Sequence, residues 1–218
     1  MKNLSKILLA IMLVAGMTTL AVAQAGKGKA KPAAAKAVEA VKAPVKWSVD
    51  NAHSSVKFTV SHLVISEVEG NFKSFSGSMA ASKPDFTDAQ IEFSVDVNSI
   101  STDNEMRDKH LKSDDFFNAE KFPKMTFKSS GFKKLSAKAY ELTGSLTLRD
   151  VTKKVKFNVV YGGTVKDPYG NTKAGFKATA TINRIDYGLK YNALTEAHGA
   201  VVGKNVTITI NTEFAKEK

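Results

Sequence analysis

The 218-residue chain contains no cysteine. That excludes disulfides, thiolate nucleophiles, cysteine-ligated metals and a lipid-modified N-terminal cysteine. Histidine is scarce, occurring only as His53, His62, His110 and His198. None of the four stands in an HxH or HxxxH pair, so no single element offers a metal site, and isolated histidines serve mostly as hydrogen-bonded structural groups. There is no GxSxG elbow, phosphate loop or dinucleotide fingerprint. No apolar stretch after Leu20 is long enough to cross a bilayer. Without disulfides or metal staples, stability must come from an apolar core, and the roughly 170 residues from Trp47 onward suffice for one domain.

What precedes Trp47 has two parts. Residues 1–23 join a basic start (Lys2, Lys6) to an uncharged apolar stretch from Ile7 to Leu20 and small residues at Ala21 and Ala23, the pattern of a secretory signal cut after Ala23. The mature protein is expected outside the cytoplasm. Residues 24–46, rich in Ala, Lys, Gly and Pro, have no aromatic residue and read as a flexible or partly helical spacer. Of the 32 basic residues, eight lie in these two parts, against one of the 21 acidic ones. The domain, residues 47–218, therefore keeps 24 basic and 20 acidic residues, a net +4 rather than the +11 of the whole chain. Such a balanced domain argues against nucleic acid as a partner. Contact of the lysine-rich spacer with an anionic envelope stays open, as does a homodimer.

From Trp47 on, period-two alternation dominates. In "SVKFTVSHL", Val56, Phe58, Val60 and His62 share one face; in "QIEFSVDVNS", Ile91, Phe93, Val95 and Val97 do. The pattern recurs in "AYELTGSLTLRD", "KVKFNVVYGG", "KAGFKATATINR" and "NVTITINTEF", with shorter candidates at 64–70, 71–81 and 124–129. Turn residues punctuate them at Lys83-Pro84-Asp85, Arg149-Asp150 and Asp167-Pro168-Tyr169-Gly170. One-sided antiparallel strands joined by short turns must hide a continuous apolar face, and closure removes the edges as well. The fold expected is all-β, an eight-stranded antiparallel barrel.

One segment, about 102–118, breaks the period. Thr102-Asp103-Asn104-Glu105 has the form of a capping box, and Asp103 with Arg107, Glu105 with Lys109 and Asp108 with Lys112 fall at i,i+4. The reading is a short helical insertion, wet on its charged side, with Met106, Phe116, Phe117 and Phe122 turned inward. Asp114 and Asp115 are adjacent and diverge in a helical turn, so they make a poor acid-base pair.

The inward rows hold much of the chain's phenylalanine, while Ala174, Ala178, Ala180 and Gly144 keep parts of the wall small. Either the barrel is filled by its own side chains or it leaves room for a slender apolar guest. A channel lined by Phe58, Val60, Phe72, Phe93, Val95, Met125, Phe127, Leu146, Phe157, Phe176 and Ile182, covered at one end near Phe116 and Phe117, is the expected site. Polar candidates for a guest's head are His62, Arg107, His110, Arg149 and Arg184. No catalytic residue, metal or cofactor is expected. Two alternatives remain: an enzyme acting near His62, His110 and Asp114, and a filled-core envelope stress protein that meets a protein partner.

The segments "WSVDNAHSSVKFTVSHL", "RDKHLKSDDFFNAEKFPKMTF", "GSLTLRDVTKKVKF" and "INRIDYGLKYN" resemble, in order and spacing, those of the YceI-like family of exported polyisoprenoid-binding proteins. The resemblance runs from about Trp47 to Phe214. It implies a lipocalin-like barrel that binds and carries a long isoprenoid, quinone or similar amphiphilic lipid in an apolar channel, in the periplasm and without covalent chemistry. The long spacer and the "TEAHGAVVGKN" loop, with His198, depart from the pattern.

Overall fold

The computed structural model describes residues 43–194 and 199–218. The signal reading, nearly all of the spacer and His198 lie outside the described residues. Alternation produces strand segments β1 (Val45–Val49), β2 (Ser55–His62), β3 (Ser66–Phe72), β4 (Phe75–Ala81), β5 (Gln90–Asp96), β6 (Ile100–Ser101), β7 (Lys124–Lys134), β8 (Ala139–Leu148), β9 (Val151–Lys166), β10 (Thr172–Asn183) and β11 (Val202–Lys216). Among the described residues the single α-helix, α1, spans Glu105–Lys112. Val45 and Lys46, read as spacer, already pair with Ala81 and Ala80.

Three neighbouring strands are broken at one level of the wall, between β1 and β2, β3 and β4, and β5 and β6. The cause is local. Asp50 accepts from Ala52 N at 3.0 Å and Asp96 from Asn98 N at 2.9 Å, so each aspartate starts a short 3-10 turn where the ladder would have run on. The broken ends stitch to one another: Asn51 Nδ2 donates to Phe75 O at 3.0 Å, and Asp96 N to Ser74 O at 2.9 Å. Taking each broken strand as one, eight antiparallel strands follow one another round the wall. β11 closes the barrel by pairing with β10 on one edge and with β2 and β1 on the other.

The two ends differ. At the end carrying the 82–89, 135–138 and 167–171 connections the interior is solid. Phe86, at φ 59°, swings in from its loop to meet Trp47 and Phe176 edge-on at 5.6 and 5.4 Å, and Phe132 stacks on Tyr140 at 4.8 Å. Tyr140 Oη donates to Asp85 O at 3.0 Å and ties that loop down. Burial, with help from the Asp85 charge, pushes the Tyr140 phenol up from its usual range.

The other end is covered by α1 and the turn after it. The helix is shorter than the 102–118 read from sequence and starts differently. Asn104, not Thr102, is its cap, accepting from Arg107 N at 3.0 Å. Thr102 is buried instead, donating from N and Oγ1 to Asp108 Oδ1 at 2.8 and 2.6 Å. Met106 does not turn inward; it is 84% exposed. Phe116 and Phe117 are buried, and Phe122 is half-buried under the Arg149 guanidinium.

Candidate binding cavity in the barrel lumen

Between the aromatic plug and the helical cover the barrel encloses free space of about 170 Å³. Phe58, Val60, Phe72, Phe93, Val95, Phe116, Phe117, Met125, Phe127, Leu146, Phe157, Phe176, Ile182 and Arg184 line it. So do Val206, Ile208 and Ile210 of β11, whose alternation was visible in sequence but whose facing onto the free space was not. Leu111, Leu189 and Val202 also contribute; the first two come from segments without period two, where no sequence signal marked them. The lining groups with polar atoms are Lys57, Thr126, Arg184 and Thr212.

Three glycines shape the wall. Gly70 lies opposite Phe58, Gly77 opposite Phe93, and Gly144 beside Phe127; a Cβ on any of them would overlap the ring. The rings therefore lie along the sheet over the glycines rather than standing toward the barrel axis. This corrects the reading of Gly144 as a gap, since Phe127 fills it. Of the three alanines taken to leave room, Ala178 faces the free space, whereas Ala174 and Ala180 are buried elsewhere along the wall.

Four of the five polar candidates do not line the lumen. Arg149 is a clamp: its Nη1 donates to the carbonyls of Asp114, Phe116 and Gly188 at 3.1, 3.0 and 2.7 Å, and its Nη2 to Asp114 Oδ1 at 2.8 Å. Asn118 and then Arg149 hold the Asp114 carboxyl below its usual range. Arg107 donates to Thr102 Oγ1 and O at 2.7 and 2.8 Å rather than pairing along the helix. His110 meets Asp115 at 2.8 Å and packs edge-on to Phe116 and Tyr191 on the outside. His62 sits at the end of β2, paired with Ser66 and Val202.

Arg184 does reach the lumen wall and is only 2% exposed. Its donors, however, go to backbone carbonyls: Nε to Gly203 at 2.8 Å, Nη1 to Leu189 and Nη2 to Val202, both at 2.9 Å. Burial lowers its pKa, and the three acceptors partly offset that desolvation. Arg149 and Arg184 thus each satisfy three orphan carbonyls and fix the cover of the barrel. No motif search finds that role, because the partners are backbone atoms.

On the outside, Asp50, His53 and Glu213 bring ligand-type atoms within 4.8 Å of one another. His62 lies at the far end of β2 from this cluster. Lys173 Nζ stands between the two carboxylates at 2.6 and 3.1 Å, so the chain's own ammonium fills the place a metal ion would take.

The YceI-like domain model matches residues 47–214. A UPF0312 protein of Staphylococcus aureus strain N315 is 35% identical over 170 residues, covering 78% of this chain and 96% of its own. Among solved structures, a YCEI protein of Campylobacter jejuni is 31% identical with a TM-score of 0.61, covering 72% of this chain and 90% of its own. A domain of Saccharophagus degradans, described as polyisoprenoid binding and implicated in plant cell wall breakdown, is 16% identical with a TM-score of 0.57. It covers 79% of this chain and 99% of its own and shares the fold.

Proposed function

Because the chain belongs to the YceI-like domain family, we propose that its lumen binds the hydrocarbon part of an isoprenoid or similar amphiphilic lipid, such as a quinone or a prenyl alcohol or phosphate. The observation that carries this reading is the free space of about 170 Å³ behind a wall of aliphatic and phenyl groups. The fold neighbour described as polyisoprenoid binding supports the class of ligand. Burial of one methylene gains about 0.8 kcal/mol, so one five-carbon unit gains roughly 3 to 4 kcal/mol before association costs. A dry cavity of about 150 Å³ accepts a benzene-sized guest, so the lumen as folded takes about one to two such units. A longer chain must displace the phenyl rings.

The polar head stays outside. Arg184 spends its donors on the cover, and His62, Arg107, His110 and Arg149 are turned elsewhere. The same distances support binding rather than turnover, since His110 pairs with Asp115 and Asp114 with Arg149, and none of the four lines the cavity. The sequence of residues 1–23 supports export to the periplasm. Native mass spectrometry of protein purified from a lipid-containing host tests the reading: an apolar ligand copurifies or binds on addition. If none does either, the lipid reading fails.

A further inference from the structure

The hairpin tip between β2 and β3 breaks two rules at once. Its residues, Leu63, Val64 and Ile65, are all apolar, and Val64 and Ile65 are 74% and 86% exposed. Leu63 and Val64 also sit in the left-handed region, at φ 51° and 66°. A two-strand turn of this kind is served by Asn, Asp or Gly, and for a β-branched residue that backbone is an outlier. Hydration and backbone strain both favour replacement, and the interior gains nothing from these exposed side chains.

The tip lies at the covered end of the barrel and is continuous with the lumen wall. Val60 and Val202 line the cavity, His62 pairs with Val202, and Leu63 N donates to Val201 O at 3.0 Å. Met106 and Ile185, also exposed, belong to elements of this same end. By contrast, the exposed apolar residues toward the plugged end, Leu135, Val160, Val165 and Tyr169, stand singly along the chain.

We infer that the Leu63–Val64–Ile65 tip docks the covered end of the barrel onto a lipid bilayer, so that a guest passes between lumen and membrane without crossing water. The inference rests on the lumen reading for its purpose, but the docking itself is separately measurable. Size selects the occupant. A protruding tip of three side chains falls well short of the roughly 800 Å² per partner of a stable protein interface. It does suit shallow insertion, about 5 to 10 Å, at the boundary of headgroups and acyl chains. Charge is not the driving force, because Lys109, Lys112, Lys190 and Lys204 at this end are mixed with Asp103, Glu105, Asp115 and Asp186.

The test is flotation of the whole protein with phosphatidylcholine vesicles, and with vesicles containing phosphatidylglycerol, at low salt and at about 1 M salt, where screening is complete within about 3 Å. Expected are binding to both vesicle types that survives salt, and at least a tenfold loss in the double variant Val64→Asn, Ile65→Gly. Asn suits the left-handed backbone at position 64, and position 65 is exposed, so the variant keeps the fold and its uptake of an apolar fluorescent probe into the lumen is unchanged. An Ile65→Trp variant gives a second readout: its fluorescence is quenched by brominated lipid, while Trp47, buried in the plug, is not. Absence of vesicle binding, binding only to anionic vesicles that salt abolishes, or a double variant that binds like the parent overturns the docking inference. Failure of the probe to enter either protein overturns the lumen reading instead.

Discussion

The two ends of this barrel are made from the same alternating strands, yet one is a solid aromatic core and the other is hollow. The difference lies in what the connections contribute. At the plugged end the 82–89 loop inserts Phe86 between Trp47, Tyr161 and Phe176. At the covered end Phe116 and Phe117 close over the space without filling it, and the wall phenylalanines lie over Gly70, Gly77 and Gly144. A barrel of this strand number is near the size at which side chains just fill it, so one inserted ring, or three rings laid aside, decides between core and cavity. Stability should therefore reside in one end and binding in the other.

The comparison can be broken or sharpened by substitution. Trp47→Ala opens the plug and should lower stability by about 3 to 5 kcal/mol in denaturant unfolding, with guest binding per folded molecule unchanged. A comparable loss of binding would show that the ends do not work separately. Arg184→Met leaves the carbonyls of Leu189, Val202 and Gly203 without donors, and about 3 kcal/mol of destabilisation is expected. Hydrogen exchange should rise first at 184–194 and at the start of β11. Gly144→Ala pushes the Phe127 ring toward the lumen axis: a stability loss of about 1 to 3 kcal/mol should come with weaker uptake of an apolar probe, the reverse of the Trp47 result.

The smallest effect is expected at the strand breaks. Lys173 and then His53 hold the Asp50 carboxyl far below its ordinary range. A depressed carboxyl adds stability above the unfolded aspartate value, near about 4, and loses it as pH falls through the lower folded value. Lys173→Met should therefore lower stability by about 1 kcal/mol at pH 7. Urea unfolding repeated at successively lower pH should show the gap between parent and variant closing. A gap that widens in acid would contradict the assignment.

Much of this was legible before folding was considered. The inward rows of β2, β5, β8 and β10 follow from strict alternation, whereas the break at Asp96, which puts Val97 in a 3-10 turn rather than on the strand, was not read from it. The helix start was misread because Thr102 and Asn104 are both good caps, and only tertiary burial of Thr102 against Asp108 chooses between them. Met106 was misplaced for a similar reason, since a helix that lies over a barrel mouth presents less of itself inward than its pattern suggests.

By itself the sequence determined which face of each strand is oily and where the chain turns, because alternation and turn chemistry act over a few residues. Tertiary structure alone decided that Arg149 and Arg184 serve backbone carbonyls and that the glycines shelter rings. It also decided that the side chains leave part of the interior unfilled. Those outcomes depend on which atoms meet across the closed wall, and that distance no local pattern measures.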